Sequence, residues 1–283
     1  MTNSENTKPD WPGGEARLED SALLDVNEVM TRLYRESRRG AADLQATPRE
    51  TPARFRPRPG PAASRRVALP PPPAESRPLQ EALLARGAVR VYDEAPIGLA
   101  QLGAILRVAS EGDRQDWPRE EEAGVGLQLL VVAWRVEELE PAVWRYEPAT
   151  HELSYVGPAP GREDASSLTL QVEFSAAPAL VFVSGGLAAA CARYGSWGHR
   201  QLLLRGGAAG QRLWLGAIGV GLVGTVFAGF LPRAANRFAN VDGYRQAGLI
   251  AFAVGRLPRF VTGAGDDLPQ TGAGGYSPAG ERP

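Results

Sequence analysis

Apolar positions along this chain recur at two spacings, and the switch between them marks out its elements. Leu23, Val26, Val29, Met30 and Leu33 fall three or four apart, which predicts an amphipathic helix over 21–39 that docks on the outside of its own domain or on a partner. After a proline-rich stretch, Ser76 is a candidate cap, and Leu79, Ala82 and Leu83 predict a helix over 78–86 with one apolar stripe. Leu99, Leu102 and Leu106 share a face of a second helix over 98–110, and the acidic stretch 111–126 reads as a surface loop. The run LQLLVVAWRV, residues 127–136, is apolar at odd and even positions alike, as in a central strand covered on both faces. Residues 143–157 alternate as a hairpin turning at Pro148 to Thr150. A helix is expected at 164–175, a buried strand at 178–185, a long Ala/Gly/Leu-rich helical region at 187–218, and strands at 222–230 and 248–255. This order describes an α+β domain with helices flanking a central sheet.

The most apolar stretch, LWLGAIGVGLVGTVFAGFLP, runs from Leu213 to Pro232 without a charge and has Arg212 and Arg233 at its ends. At 1.5 Å per residue a helix of that length spans about 30 Å, enough to cross a bilayer. Its glycines favour a different solution. Gly219 and Gly221 mark a break, so the stretch reads as the end of a buried helix near Ile218, a turn, and a core strand.

Composition sets the limits of the chemistry. Lysine occurs only once, at Lys8 in the polar N-terminal segment, which removes Schiff-base and lysine acid–base chemistry from the core. Cys191 is the single cysteine, and His151 and His199 are the two histidines, so a multi-cysteine or histidine-rich metal site is not expected. A lone cysteine and the lack of a signal-peptide pattern at the N-terminus suit a reducing, cytoplasmic setting. The formal net charge of −1 gives no global pull toward nucleic acid or an anionic membrane, and neither partner is expected. Arg49 to Arg66 is locally different, with six arginines against one glutamate. The expected layout is a disordered N-terminus over 1–20, the helix over 21–39, a Pro/Arg-rich linker over 40–75, a folded domain over 76–260 and a disordered Gly-rich tail over 261–283.

Four segments within about residues 69–256 carry a family resemblance: LPPPPAESRPLQEALLARGAVRVYDEAPIGLAQLGAILR, AVWRYEPATHELSYVG, ARYGSWGHRQLLLRGGAAGQRLWLGAIGVGL and GTVFAGFLP. In this order they resemble the nitroreductase superfamily, and within it the SagB-type azoline dehydrogenases that oxidise thiazoline and oxazoline rings in modified peptides. The resemblance implies a mixed or antiparallel central sheet and a long central helix at a dimer interface. It also implies flavin mononucleotide (FMN) as cofactor, a peptide substrate, and a homodimer or a heterodimer with a homologous subunit.

It further implies particular site residues. The family's phosphate-binding Arg-x-Ser-x-Arg pattern matches Arg86 and Arg90, with the serine replaced by Ala88, and Arg256 resembles a further basic residue on the phosphate side. Gly229 matches the glycine whose backbone approaches the flavin ring. The Lys-Tyr pair associated with proton transfer matches Arg193 and Tyr194. Arginine stays protonated, so Tyr194 would carry the proton, with Arg193 lowering its pKa. The flavin-contacting Pro-Ser-x-Gly stretch appears as Glu121-Glu122-Ala123-Gly124, and Arg205 stands at a common glutamate position. These departures leave two readings open beside a membrane span at 213–232: a working flavin oxidoreductase, or a degenerate scaffold inside a peptide-modifying complex.

Overall fold

The computed structural model describes residues 26–40, 47–55, 65–73, 77–161, 169, 171–230 and 242–258. Within them, helices α1 (Val26–Glu36), α2 (Leu79–Leu84), α3 (Leu99–Asp116), α4 (Pro118–Glu122), α5 (Leu187–Tyr194) and α6 (Trp197–Gly219) surround one sheet. Its strands are β1 (Arg66–Ala68), β2 (Gln128–Ala133), β3 (Ala142–Glu147), β4 (Glu152–Pro158), β5 (Ala179–Gly185), β6 (Val223–Phe227) and β7 (Ala247–Gly255). They lie in the order β1-β4-β3-β2-β5-β7-β6, and every neighbouring pair is antiparallel. The α+β architecture expected from the sequence is the one observed.

The doubly apolar strands are buried on both faces. Leu129, Val131 and Ala133 of β2, with Val181 and Val183 of β5 and Phe252 and Val254 of β7, face a large core shared with Leu102, Ile105 and Leu106 of α3 and Leu213 and Trp214 of α6. Their alternate neighbours Leu130, Val132, Leu180, Phe182, Ala251 and Ala253 face a smaller core closed by Tyr92, Phe174 and Phe227. Burying one such side chain contributes roughly 1.5–3 kcal/mol, so these strands anchor the sheet.

The glycine-interrupted apolar stretch behaves as its glycines require. Helix α6 ends at Gly219, Gly221 takes the left-handed φ of 75°, and β6 follows from Val223. Among the described residues, no helix is long and apolar enough to cross a membrane.

Several boundaries move from their expected places. The acidic stretch expected as a loop is mostly helical: α3 continues to Asp116 and α4 follows at Pro118. An Arg107–Glu111 pair one turn apart supports the extension, and Asp113 faces the protein interior. The long helical region divides into α5 and α6 at Gly195, whose φ is 61°. Of the helix expected at 164–175, a short 3-10 turn at Val172–Ala176 is described and Thr169 bridges to Phe230; residues 162–168 and 170 lie outside the described residues. Helix α2 starts after Pro78, and the candidate cap Ser76 lies outside the described residues. Its expected stripe is mostly exposed: Ala82 is buried while Leu79 and Leu83 face solvent. The expected disordered segments 1–20 and 261–283 lie outside the described residues.

The α5–α6 corner depends on a close backbone approach. A Cβ placed on Gly198 would stand 2.0 Å from the carbonyl oxygen of Ala190, a backbone atom that cannot step aside alone. Gly198→Ala is therefore expected to lower the unfolding free energy by about 1–3 kcal/mol in a denaturant titration. Gly207→Ala, at an open helical position, should leave stability unchanged or raise it.

Candidate functional site

Two ends of the sheet and one helix corner hold the residues that the sequence singles out. At the first end, the loop after α2 runs beside the start of the edge strand β6: Val89 N–H donates to Gly224 O (3.3 Å) and Thr225 Oγ1 to Val89 O (2.9 Å). Arg86 and Arg90 on this loop are exposed, and the Arg86 guanidinium lies 4.8 Å over the ring of Trp214 in α6. Arg256, just beyond β7, is held to the same end, its backbone oxygen accepting from Asp93 N–H (2.9 Å). Its Nε donates to Pro96 O (2.9 Å) and its Nη2 to Gln101 Oε1 (3.2 Å), so much of its donor capacity braces the start of α3. Arg86 and Arg90 are more exposed than Arg256 at this end.

Gly229 lies beyond the opposite end of β6. It is half-buried and precedes Phe230, which packs edge-on to Phe182 (5.8 Å) and against Gly248. Five strand residues separate the two ends, roughly 17 Å at the rise of an antiparallel strand.

The third location is the α5–α6 corner, where Arg193 and Tyr194 meet α4. Arg193 is buried; its Nη1 donates to Arg49 O (3.4 Å), its Nη2 donates to Arg119 O (3.3 Å) and stands 3.6 Å from the Glu120 carboxylate. The Tyr194 hydroxyl donates to the same carboxylate oxygen of Glu120, which is also buried. Next to them Arg205 makes a two-pronged pair with Asp113, at 3.0 Å from Nε and 2.7 Å from Nη2, and donates to Val125 O (3.3 Å). Both arginines and both carboxylates are thus withdrawn from water as neutral pairs, the only arrangement in which buried charge is tolerable. The space among Glu120, Arg193, Tyr194, Gln201 and Arg205 is too small for a water molecule.

This geometry corrects the expectation for Tyr194. Burial pushes its hydroxyl pKa up, and Glu120 pushes it further; the Arg193 contact acts in the opposite direction and does not prevail. Tyr194 is a neutral phenol committed to Glu120. Burial likewise raises the Cys191 thiol, so it stays protonated. The charge that Arg205 adds is cancelled by Asp113 rather than presented to a ligand. Glu121 pairs with Arg114 (3.1 Å) at the surface, and Gly124 takes a left-handed φ of 67°.

Glu120 and Asp113 were not legible as site residues, because both sit in a polar run that reads as solvated. The usable signal was Arg205 itself: an arginine within an Ala/Gly/Leu-rich helix demands an acidic partner from elsewhere in the chain.

Compared with solved structures, the chain superposes on a nitroreductase of Anabaena variabilis with a TM-score of 0.64 at 20% identity, over 91% of this chain and 50% of that one. The fold is that of the nitroreductases. A nitroreductase structure from Ralstonia eutropha matches 75% of this chain and 95% of its own with a TM-score of 0.54 at 18% identity. In sequence, a protein of Methanocaldococcus jannaschii named as a nitroreductase is 26% identical over 189 residues, 65% of this chain and 94% of its own length. No family model matches the chain. This chain spans half the length of the Anabaena chain.

Within the nitroreductase fold, Arg86 and Arg90 fit a phosphate. They are exposed guanidiniums on one short loop, one of them stacked on an indole, and forked donors suit phosphate oxygens. The corner at Tyr194 is closed and has no room for a flavin ring.

The neutral state of Tyr194 has a consequence for stability. Its folded-state pKa is raised above the unfolded value near 10, so its contribution is fully present below pH 10 and is lost as pH rises above it. Unfolding free energy measured by denaturant titration should decline above about pH 10 in the wild type. In Tyr194→Phe the decline should be shallower; an identical slope would show that Tyr194 titrates as in the unfolded chain.

Proposed function

We propose that this chain is an FMN-dependent oxidoreductase that works as a dimer. The observation carrying this reading is that Arg86 and Arg90 are exposed on one loop at one end of edge strand β6, with Gly229 beyond the other. The arginines would hold the phosphate, and Gly229, lacking a Cβ, would let the backbone come close to the ring. The bound flavin supplies the hydride acceptor. Tyr194 keeps its proton and is engaged, with Arg193, by Glu120, so this reading gives neither residue a proton to accept. The sequence resemblance adds the finer proposal that the substrate is an azoline ring in a peptide.

Dimerisation is supported by the outer face of α6. Leu203 and Leu204 are 50% and 57% exposed on a helix whose opposite face is core, and Gly207 and Gln211 continue the exposed stripe. A two-fold partner packing there would bury this stripe on both copies at once. The same interface could be met by a homologous subunit.

A second reading rests on the α5–α6 corner. The pair matching the family's proton-transfer residues is locked to Glu120, as in a subunit retained for assembly rather than catalysis. Absorbance between about 300 and 550 nm after mixing with FMN and gel filtration separates the two. The oxidoreductase reading expects a retained flavin band in a dimer-sized peak, with retention weakened about tenfold or more in Arg86→Ala. Leu203→Glu with Leu204→Glu should shift the peak to monomer size. A folded, colourless protein that never retains flavin would refute the oxidoreductase reading and favour the assembly role.

A further inference from the structure

Helix α2 is fastened to the body of the protein at few points. Ala82 is its one buried residue, while Leu79, Leu83 and Leu84 are exposed. Ala82 shares the large core with Trp214 of α6. Ahead of the helix Arg77 N–H donates to Gly219 O (3.1 Å), and behind it Val89 N–H donates to Gly224 O (3.3 Å). Between these fastenings the Arg86 guanidinium lies 4.8 Å from the ring centre of Trp214. The indole is thus the surface on which the first arginine of the loop after α2 rests.

Trp214 is 6% exposed, and its indole Nε1–H is buried with no hydrogen-bond partner among the described residues. An unpaired buried donor is destabilising, and phenylalanine or leucine would fill a core position without one. Filling the core is therefore a poor reason to keep an indole at this place. What the indole alone supplies is its face, the strongest of the aromatic partners for a cation. A guanidinium held by its face keeps its N–H edge free, and the side chain has already given up rotamer freedom that it would otherwise lose on meeting an acceptor.

We propose that Trp214 is a positioning residue for phosphate recognition, its indole face setting the Arg86 guanidinium so that the donor edge meets the phosphate of FMN beside Arg90. The inference rests on the FMN reading above and adds to it a residue that acts through Arg86 alone. It also accounts for an arginine at position 86: an ammonium would keep the charge but lose both the flat contact with the ring and the forked edge. Because the guanidinium is exposed, the stack is a modest interaction, and removing it weakens phosphate binding without abolishing it.

The test compares FMN with riboflavin, which lacks the phosphate, on the full chain and its variants, reading the change in flavin fluorescence on titration with protein. The wild type is expected to bind FMN about tenfold or more tightly than riboflavin. Trp214→Leu should weaken FMN about two- to fivefold and leave riboflavin unchanged. In an Arg86→Ala background the same substitution should have no further effect, because its role runs through that guanidinium. Circular dichroism checks that each variant is folded. Trp214→Phe, which keeps a weaker ring face and more of the volume, should lose about twofold and carries the same cycle if Trp214→Leu does not fold. An unchanged FMN affinity, an equal loss for riboflavin, or the same loss with and without Arg86 would make Trp214 a core side chain only, overturning the proposal while the FMN reading stands. A wild type that binds neither flavin would refute the FMN reading and the proposal with it.

Discussion

Arg205 lies in the middle of the longest helix and is almost wholly buried, and a guanidinium cannot shed its charge to escape the cost of leaving water. Asp113 must therefore come to it, which fixes where α3 crosses α6 and why α3 continues into a stretch that looks solvated. From that crossing the rest follows. Helix α3 turns at Trp117 into α4, α4 brings Glu120 under Arg193 and Tyr194, and Arg193 in turn holds the backbone of Arg49 and the N-terminal segment. A single buried pair thus relates three helices and the segment that overlies them.

The chemistry divides along the same line. The α5–α6 corner, where the sequence pattern pointed to proton transfer, is filled and charge-balanced. Two exposed cations stand elsewhere, at Arg86 and Arg90 beside the edge strand, and the Arg86 guanidinium lies over the face of Trp214. A chain with one lysine has used arginine in both settings, and the setting decides the role: paired with carboxylate in the interior, stacked on indole at the surface. The nitroreductase fold accommodates this because its central strands are sealed on both faces by aliphatic side chains, leaving the polar work to helix ends and the sheet edge.

How far the sequence could be read depended on whether the deciding force was local. The strands β2, β5 and β7 were legible because burial on both faces leaves uninterrupted apolar runs, and the Gly219–Gly221 turn because left-handed backbone selects glycine. The break at Gly195 was not, since alanine and glycine on either side are compatible with one long helix until Gly198 lets the two axes approach. The end of α3 and all of α4 were missed for a long-range reason: the partner that makes Asp113 an interior residue is 92 positions away. Arg86, Arg90 and Gly229 were singled out by family resemblance alone, and their positions relative to β6 emerged only from the sheet order.

The Asp113–Arg205 pair can be tested most directly by a double-mutant cycle with Asp113→Leu and Arg205→Met, measured by denaturant unfolding at neutral pH. Each single variant leaves one buried charge without its partner and should lose about 3–5 kcal/mol, while the double variant should recover most of that loss, giving a strong coupling energy. Additive losses, with no recovery in the double variant, would contradict the pair as the constraint that sets the α3–α6 crossing.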